Sequence, residues 1–421
     1  MTQAHEQAGP ASIEEAATYL RKANSATTPV GFVGGGTKQE PGNSGSPLPL
    51  KISTGRLNRL IAYQPEDLTV TAEAGLELAT LQATLGKRGQ WLPLDPPRLK
   101  GETLGGLLAT NANGPKRLLY GTARDLLLGC QFVLADGSIG RSGGRVVKNV
   151  SGYDLHKLMI GSFGTLGLLT EVTFKVLPLP QYSEWAAALF EKAEDALAAT
   201  RQAVRSNASP VAMEILNRAA QLQMAKKTRL TLPEAPYLLF FGAEGFEAAV
   251  KEQLQAVTAL CRATGAKSVI ETEGKGVSTV VWNGLQDLAA QPLYNLRLKW
   301  SATLTGLPSA VKSAEELVVK LGLTDAALQI RAGTGLAYLY AKLPAESDAF
   351  TYQEVARQIE LARTHVQRQE GSLVVELAPV ALKEKLDVWG GAGDAFAAMQ
   401  ALKNKLDPKG ILNRGRFLKG L

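Results

Sequence analysis

Between Lys148 and Glu171 the chain runs Lys148-Asn149-Val150-Ser151-Gly152-Tyr153-Asp154-Leu155 and then Gly161-Ser162-Phe163-Gly164-Thr165-Leu166-Gly167-Leu168-Leu169-Thr170-Glu171. Glycine gives up more conformational freedom on folding than any other residue. Such spacing is tolerated where backbone must turn sharply or come close to another group. The apolar alternating run Val172 to Leu177 follows at once and reads as a strand that holds the glycines in a fixed frame. A wall of a cofactor pocket fits this pattern better than a linker does.

Two earlier segments have the same character. Gly34-Gly35-Gly36-Thr37-Lys38 leaves the short strand Val30-Gly31-Phe32-Val33, and successive backbone N–H groups in such a loop can converge on an oxyanion. It is neither a Walker A loop, which needs Gly-Lys followed by Ser or Thr, nor a Rossmann Gly-x-Gly-x-x-Gly. Thr103-Leu104-Gly105-Gly106 and Asn111-Ala112-Asn113-Gly114 combine glycines with hydroxyl and amide donors. Gly121, Arg124 and Asp125 come next, and Asp136-Gly137 reads as a hairpin turn after the strand Leu127–Leu134.

With 421 residues the chain exceeds one core of ordinary size, so two or three domains are expected. The net charge of +7 is spread without long blocks or a basic stripe interleaved with aromatics, which argues against nucleic acid as a partner. Two distant cysteines, Cys130 and Cys261, exclude an iron–sulfur or Cys-based zinc site within the chain and fit a reducing cytoplasm. Met1 to Pro10 lacks the basic and apolar regions of a signal peptide, and no apolar run approaches the ~20 residues that span a bilayer. A cytoplasmic chain is expected, with docking at the inner membrane face only through partner subunits.

Along the chain, Ser12 to Ala23 reads as a helix capped by Ser12, with Ile13, Ala16, Ala17 and Leu20 on one face. Lys51 to Thr54 and Leu68 to Ala74 read as strands and Leu76 to Gly86 as a helix. Pro178, Pro180 and Gln181 mark a boundary. Beyond it an Ala-rich helix is expected from Trp185 through Val204, then a second α+β region of antiparallel character. The helix Ala392 to Leu406 places Phe396, Met399, Leu402 and Leu406 on one face and ends in the turn Asp407-Pro408-Lys409-Gly410. The expected domains are 1–180, 181–391 and a C-terminal segment 392–421 that packs back on the first.

The order of these motifs, closing with Ile411-Leu412-Asn413-Arg414-Gly415-Arg416-Phe417, resembles the FAD-binding domain of the vanillyl-alcohol oxidase / p-cresol methylhydroxylase superfamily. Within it the chain is similar to the FAD-binding subunits of bacterial glycolate oxidases. The resemblance implies an α+β fold: an FAD domain of two α+β subdomains, an α+β cap and a returning tail. It implies that Gly34, Gly35, Gly36, Thr37 and Lys38 cradle the FAD pyrophosphate. Thr103, Leu104, Gly105, Gly106, Asn111, Asn113 and Gly114 would follow the pyrophosphate and ribityl chain. Gly164, Leu166, Gly167, Leu168 and Leu169 would line the adenosine end, and Asn413 would return near the flavin ring. Arg124, Asp125 and Gly152 belong to the same motif set. Thr37 stands where some relatives carry the histidine of a covalent flavin link, so non-covalent FAD is implied; Arg414 departs from the proline usual in the tail.

The same resemblance implies oxidation of a small 2-hydroxy acid, with a catalytic FAD subunit and an iron–sulfur subunit as partners. The catalytic subunits of that family carry a His-rich, Gly-Asp-Gly-containing segment that this chain lacks; its histidines are His5, His156 and His365. No catalytic residue and no metal ligand is named on this evidence. Arg297, Lys299 and Arg331, on expected strands of the second region, are candidates for a substrate carboxylate as well as for an ordinary surface. A self-sufficient FAD oxidoreductase and a structural subunit with an empty FAD fold stay open as alternatives.

Overall fold

The computed structural model describes residues 6–45, 48–144, 153–271, 276–291, 293–345 and 350–421. Two compact units emerge: Met1–Asn113, Gly121–Leu179 and Gly391–Leu421 form the first, Gly114–Tyr120 and Pro180–Gly390 the second.

In the first unit, β1 (Glu6–Ala8), β2 (Val30–Val33) and β3 (Leu50–Ser53) make a parallel sheet in the order β1-β3-β2. α1 (Ile13–Ser25) lies on the connection from β1 to β2. Ser12 caps it as expected, its hydroxyl accepting the Glu15 N–H at 3.2 Å, with Glu14 and Glu15 in the first turn. Its buried face of Ala16, Ala17, Leu20 and Ala23 packs with Val30, Ile52, Ile411 and Leu412.

Further strands follow in chain order: β4 (Leu60–Gln64), β5 (Thr69–Glu73), β6 (Gln90–Trp91), β7 (Leu127–Val133), β8 (Ile139–Gly143), β9 (Leu168–Lys175) and β10 (Leu177–Pro178). Five make an antiparallel sheet, β4-β5-β9-β7-β8, and β6 pairs with β10. Asp136-Gly137 does turn β7 into β8, with Gly137 at φ +81° and the Ser138 N–H on the Asp136 carboxylate at 2.8 Å. α2 (Leu78–Gly86) and α3 (Leu104–Thr110) bury Leu81, Leu85, Leu104, Leu107 and Leu108 against Val70, Ala72, Val172 and Phe174 of this sheet.

The second unit is built on eight antiparallel strands: β11 (Tyr182–Phe190), β12 (Ala212–Asn217), β13 (Tyr237–Gly245), β14 (Ser268–Glu271), β15 (Leu296–Ser301), β16 (Ala327–Arg331), β17 (Leu336–Ala341) and β18 (Ser372–Leu377). Their order is β14-β11-β13-β12-β16-β17-β15-β18. Helices Ala193–Arg205, Glu247–Ala263, Leu307–Lys320 and Tyr352–Gln367 cover one face in a continuous apolar core. Arg218–Thr228 and Val277–Asp287 supply Ala220, Met224, Val281 and Leu285 to a second core on the other face.

One stretch of the second unit departs from the sequence expectation. The run from Trp185 begins as a strand, and the Ala-rich helix starts only at Ala193. Alanine favours helix locally, yet Ala186 and Ala187 sit opposite Phe241 and Phe240 in a strand buried on both faces. Small residues beside large aromatics fill that space, so tertiary packing overrides propensity. Among the described residues no helix is long and apolar enough to cross a membrane.

Candidate functional site

A cleft opens in the first unit, lined by three loops and the tail. The loop leaving β2 contributes Gly34, Gly35, Gly36, Thr37 and Lys38. Thr103, Gly105 and Gly106 come from the start of α3, Gly164, Gly167, Leu168 and Leu169 from the approach to β9, and Asn413 from the tail. The glycines serve different ends. A Cβ on Gly35 would lie 1.5 Å from the Gly101 carbonyl oxygen, and one on Gly34 2.2 Å from Thr103 Oγ1. The β2 loop and the segment before α3 therefore cross in direct backbone contact. At Gly36, φ is +75° and a Cβ would meet nothing within 4 Å, so there the backbone borders open space.

The tail completes the wall. Val30 donates its N–H to the Ile411 carbonyl and Asn413 donates to the Val30 carbonyl, both at 2.8 Å. Asn413 is buried at φ +42°; its Oδ1 accepts the Phe32 N–H at 3.3 Å and its Nδ2 donates to the Phe163 carbonyl at 2.7 Å. Phe163 itself holds φ +53°, and Gly164, at φ +70°, passes so close that a Cβ would lie 2.5 Å from Asn413 Nδ2. Asp407 anchors the approach: its carboxylate accepts from the Ile411 and Leu412 N–H groups at 3.0 and 2.8 Å and from Lys403 Nζ at 2.6 Å. Lys403 also donates to the Thr165 carbonyl at 2.8 Å, and burial pushes its ammonium below the ordinary lysine value. Here the helix Phe396–Leu406 departs from its expected face: Lys403 is its buried residue, while Met399 is 39% exposed.

Lys38 forms an ion pair with Glu102, and no acidic residue is among the described residues that line the cleft. A Gly-built wall with open backbone at Gly36 and no carboxylate facing in fits a ligand carrying phosphate.

Other candidates lie away from this lining. Leu104 is in the core and Leu166 packs against it. Asn111 caps α3 in the left-handed region at φ +49°, and Asn113 donates to its carbonyl at 2.9 Å. Gly114 opens the segment assigned to the second unit. Asp125 closes a capping box with Thr122, accepting its N–H at 2.7 Å, with Arg124 on the same short helix. Gly152 and His5 fall outside the described residues, as do Lys148 to Ser151. His156 is buried with Nδ1 3.0 Å from Ser142 Oγ, and burial lowers its imidazole from the ordinary value. His365 lies 3.0 Å from Ser309 Oγ in the second unit. Phe32, Gln39, Thr54, Thr110, Ser162, Phe163 and Arg416 also line the cleft; none is singled out by the sequence as a ligand-binding residue, although Ser162 and Phe163 stand within the glycine-rich run and Arg416 within the tail motif.

In the second unit, strand alternation gathers Glu214, Gln329, Arg331, Tyr338, Tyr340, Arg297, Lys299 and Glu376 on one face of β12 and β15 to β18. Gln329 Nε2 donates to Glu214 at 2.8 Å, and Tyr340 donates to Gln329 Oε1 at 3.0 Å. Arg331 lies 4.7 Å over the Tyr338 ring and 3.9 Å from Glu214; Lys299 pairs with Glu376 at 3.1 Å. Burial raises the Glu376 carboxyl, but Lys299 and Arg297 outweigh it and hold it below the ordinary range, so the pair stays ionised.

Residues 7–143 match the FAD binding domain, and residues 179–376 and 383–417 match the C-terminal domain of FAD linked oxidases. Glycolate oxidase subunit GlcD of Bacillus subtilis (strain 168) is 27% identical over 97% of this chain and 87% of its own. Glycolate oxidase subunit GlcE of Escherichia coli (strain K12) is 41% identical over 39% of this chain and 47% of its own. The solved structure of p-cresol methylhydroxylase has the same fold, with TM-score 0.71 and 14% identity over 97% of this chain and 88% of that one. The C-terminal match alone takes in more than half of the chain, and the fold agrees with it: the chain belongs to the FAD linked oxidases and is an FAD-dependent oxidoreductase.

Proposed function

We propose that this chain is the FAD-binding subunit of a glycolate-oxidase-type 2-hydroxy-acid dehydrogenase, working with a catalytic flavoprotein and an iron–sulfur subunit to oxidise glycolate to glyoxylate. The observation that carries the proposal is the likeness to two glycolate oxidase subunits, with 41% identity to GlcE where the two align. Bound FAD supplies a two-electron acceptor, which the protein holds and orients. Gly34 to Thr37 would cradle its pyrophosphate, Thr103 to Gly106 the adjoining chain, and Gly164 to Leu169 the adenosine end, with Asn413 beside the ring. Thr37, and the absence of histidine among the described residues that line the cleft, favour non-covalent binding. The described histidines are engaged by Ser142 and Ser309, which favours a partner as the source of the general base.

The test uses the purified full chain under anaerobic conditions. A visible flavin spectrum is expected, unchanged by glycolate alone and bleached once the catalytic partner is added. Bleaching by glycolate without a partner overturns the subunit proposal in favour of a self-sufficient oxidoreductase. Lack of bound flavin would leave only a structural subunit.

A further inference from the structure

We propose that Lys403, acting with Asp407, is a cofactor-positioning residue: from behind the cleft its buried ammonium holds two pieces of the wall, the turn 162–165 and Asn413, in one register. The proposal rests on the cleft being the FAD site and goes beyond it by assigning a role to residues outside the lining. Ser162, Phe163, Gly164 and Asn413 are among the described residues that line the cleft; Lys403 and Asp407 are not. Both are buried, one helical turn apart at the end of the helix Phe396–Leu406. Lys403 Nζ donates to Asp407 Oδ2 at 2.6 Å, to the Thr165 carbonyl at 2.8 Å and to the Leu412 carbonyl at 3.2 Å. An ammonium has three protons to give, and each finds its acceptor here.

The two carbonyls carry the effect to the cleft. That of Leu412 belongs to the same peptide plane as the Asn413 N–H, which donates to the Val30 carbonyl at 2.8 Å. The plane is gripped at both edges, and its orientation sets where the Asn413 side chain goes. Asp407 tightens the grip by accepting the Ile411 and Leu412 N–H groups at 3.0 and 2.8 Å. On the other side, the Thr165 N–H and Oγ1 donate to the Ser162 carbonyl at 3.0 and 2.7 Å. The turn through Phe163 and Gly164 is thereby tied at its base, and Lys403 holds that base. The two pieces meet where Asn413 Nδ2 donates to the Phe163 carbonyl at 2.7 Å. An apolar side chain of similar volume can support a fold as well as a buried ion pair does. It cannot aim two carbonyls.

The test follows release of FAD from the full holo chain, by the rise of flavin fluorescence on dilution, together with the visible circular dichroism of the bound flavin. Lys403→Met should speed release about 10-fold, the scale of one lost hydrogen bond to a charged group, and change the dichroism. Leu85→Ala, which opens a cavity in the core outside the cleft lining, controls for general destabilisation: release should stay within about 2-fold and the dichroism unchanged. Lys403→Met combined with Asp407→Asn leaves no buried carboxylate without its cation, so stability should recover in part while release stays fast. Release from Lys403→Met no faster than from Leu85→Ala would overturn the proposal. So would a return of the native release rate together with stability in the double variant, which would reduce the pair to a support for the fold. Should Lys403→Met fail to fold, as judged by thermal unfolding of the apo chain, the double variant decides on the same terms. Gly164→Val, which fills the cleft wall, separates the two ideas: it loses FAD if the cleft is the site, whatever the pair does, and normal FAD binding by that variant would remove the cleft assignment itself.

Discussion

The cleft of the first unit is walled largely by backbone: Gly34, Gly35, Gly36, Gly105, Gly106, Gly164 and Gly167 line it, and no acidic side chain is among the described residues facing it. The polar face of the second unit is the reverse, with Glu214, Arg331, Arg297, Lys299 and Glu376 contributed by four strands and tied together through Gln329 and Tyr340. A backbone site fits one bulky ligand through shape and tolerates little change at its crossing points. A side-chain site keeps charges in balance and responds to the loss of any one of them. The two kinds of site should therefore fail in different ways.

The largest effect is expected at the crossing of loops. Gly35→Val, with its Cβ placed where the Gly101 carbonyl stands, should abolish flavin binding and lower the thermal midpoint; a normal flavin-to-protein ratio would break the account of the cleft. Next comes Glu214→Ala in the second unit. It leaves Arg331 and Gln329 without their carboxylate and should cost about 3–5 kcal/mol in urea unfolding, whereas the visible spectrum of bound flavin stays unchanged. A shift in that spectrum with little loss of stability would invert the contrast.

Alkaline pH gives a third, smaller difference. Burial raises the thiols of Cys130, in the first unit, and Cys261, in the second, from an ordinary value near 9 to about 12. Above pH 9 the unfolded chain releases these protons while the folded chain keeps them, so stability falls as pH rises towards 12, by about 1.4 kcal/mol per unit for each thiol. Cys130→Ala and Cys261→Ala should each flatten the curve by one such increment. Tyr120, Tyr237, Tyr294 and Tyr340, all in the second unit and all raised by burial, act in the same sense. The second unit should thus lose native structure first in an alkaline titration followed by hydrogen exchange. The smallest effect belongs to Gly36→Ala, which meets no atom within 4 Å and should cost about 1–2 kcal/mol for its left-handed backbone. Loss of flavin binding there as complete as in Gly35→Val would erase the distinction between crossing and bordering glycines.

This contrast also explains what could be read from the sequence. Gly34 to Gly36 and Gly164 to Gly167 are legible because backbone proximity needs glycine at fixed local spacing. Strand β2 and the Ser12 cap are legible for the same reason: their causes lie within a few residues. Glu214, Gln329 and Tyr340 come together only when β12, β16 and β17 pair, and no local pattern announces that. Trp185 to Leu189 misleads because its alanines answer to Phe240 and Phe241, some 50 positions away. The contact that Arg416 makes is illegible for a related reason, since the carbonyls it grips belong to residues 38 to 41.

The cleft's wall is drawn from stretches far apart in the sequence, Phe32 to Gln39 and, some 370 positions later, Asn413 and Arg416. Synthesis proceeds in one direction, so the second stretch does not exist while the first is already outside the ribosome. A nascent chain that has made Gly34 to Gly36 and Gly164 to Gly167 still has an unfinished cleft, and on the proposed assignment of that cleft to FAD, stable uptake of the cofactor would wait for residue 416 to emerge. On that proposal flavin loading would be a late event in the life of each molecule, and a chain lacking residues 413 to 416 would be left colourless.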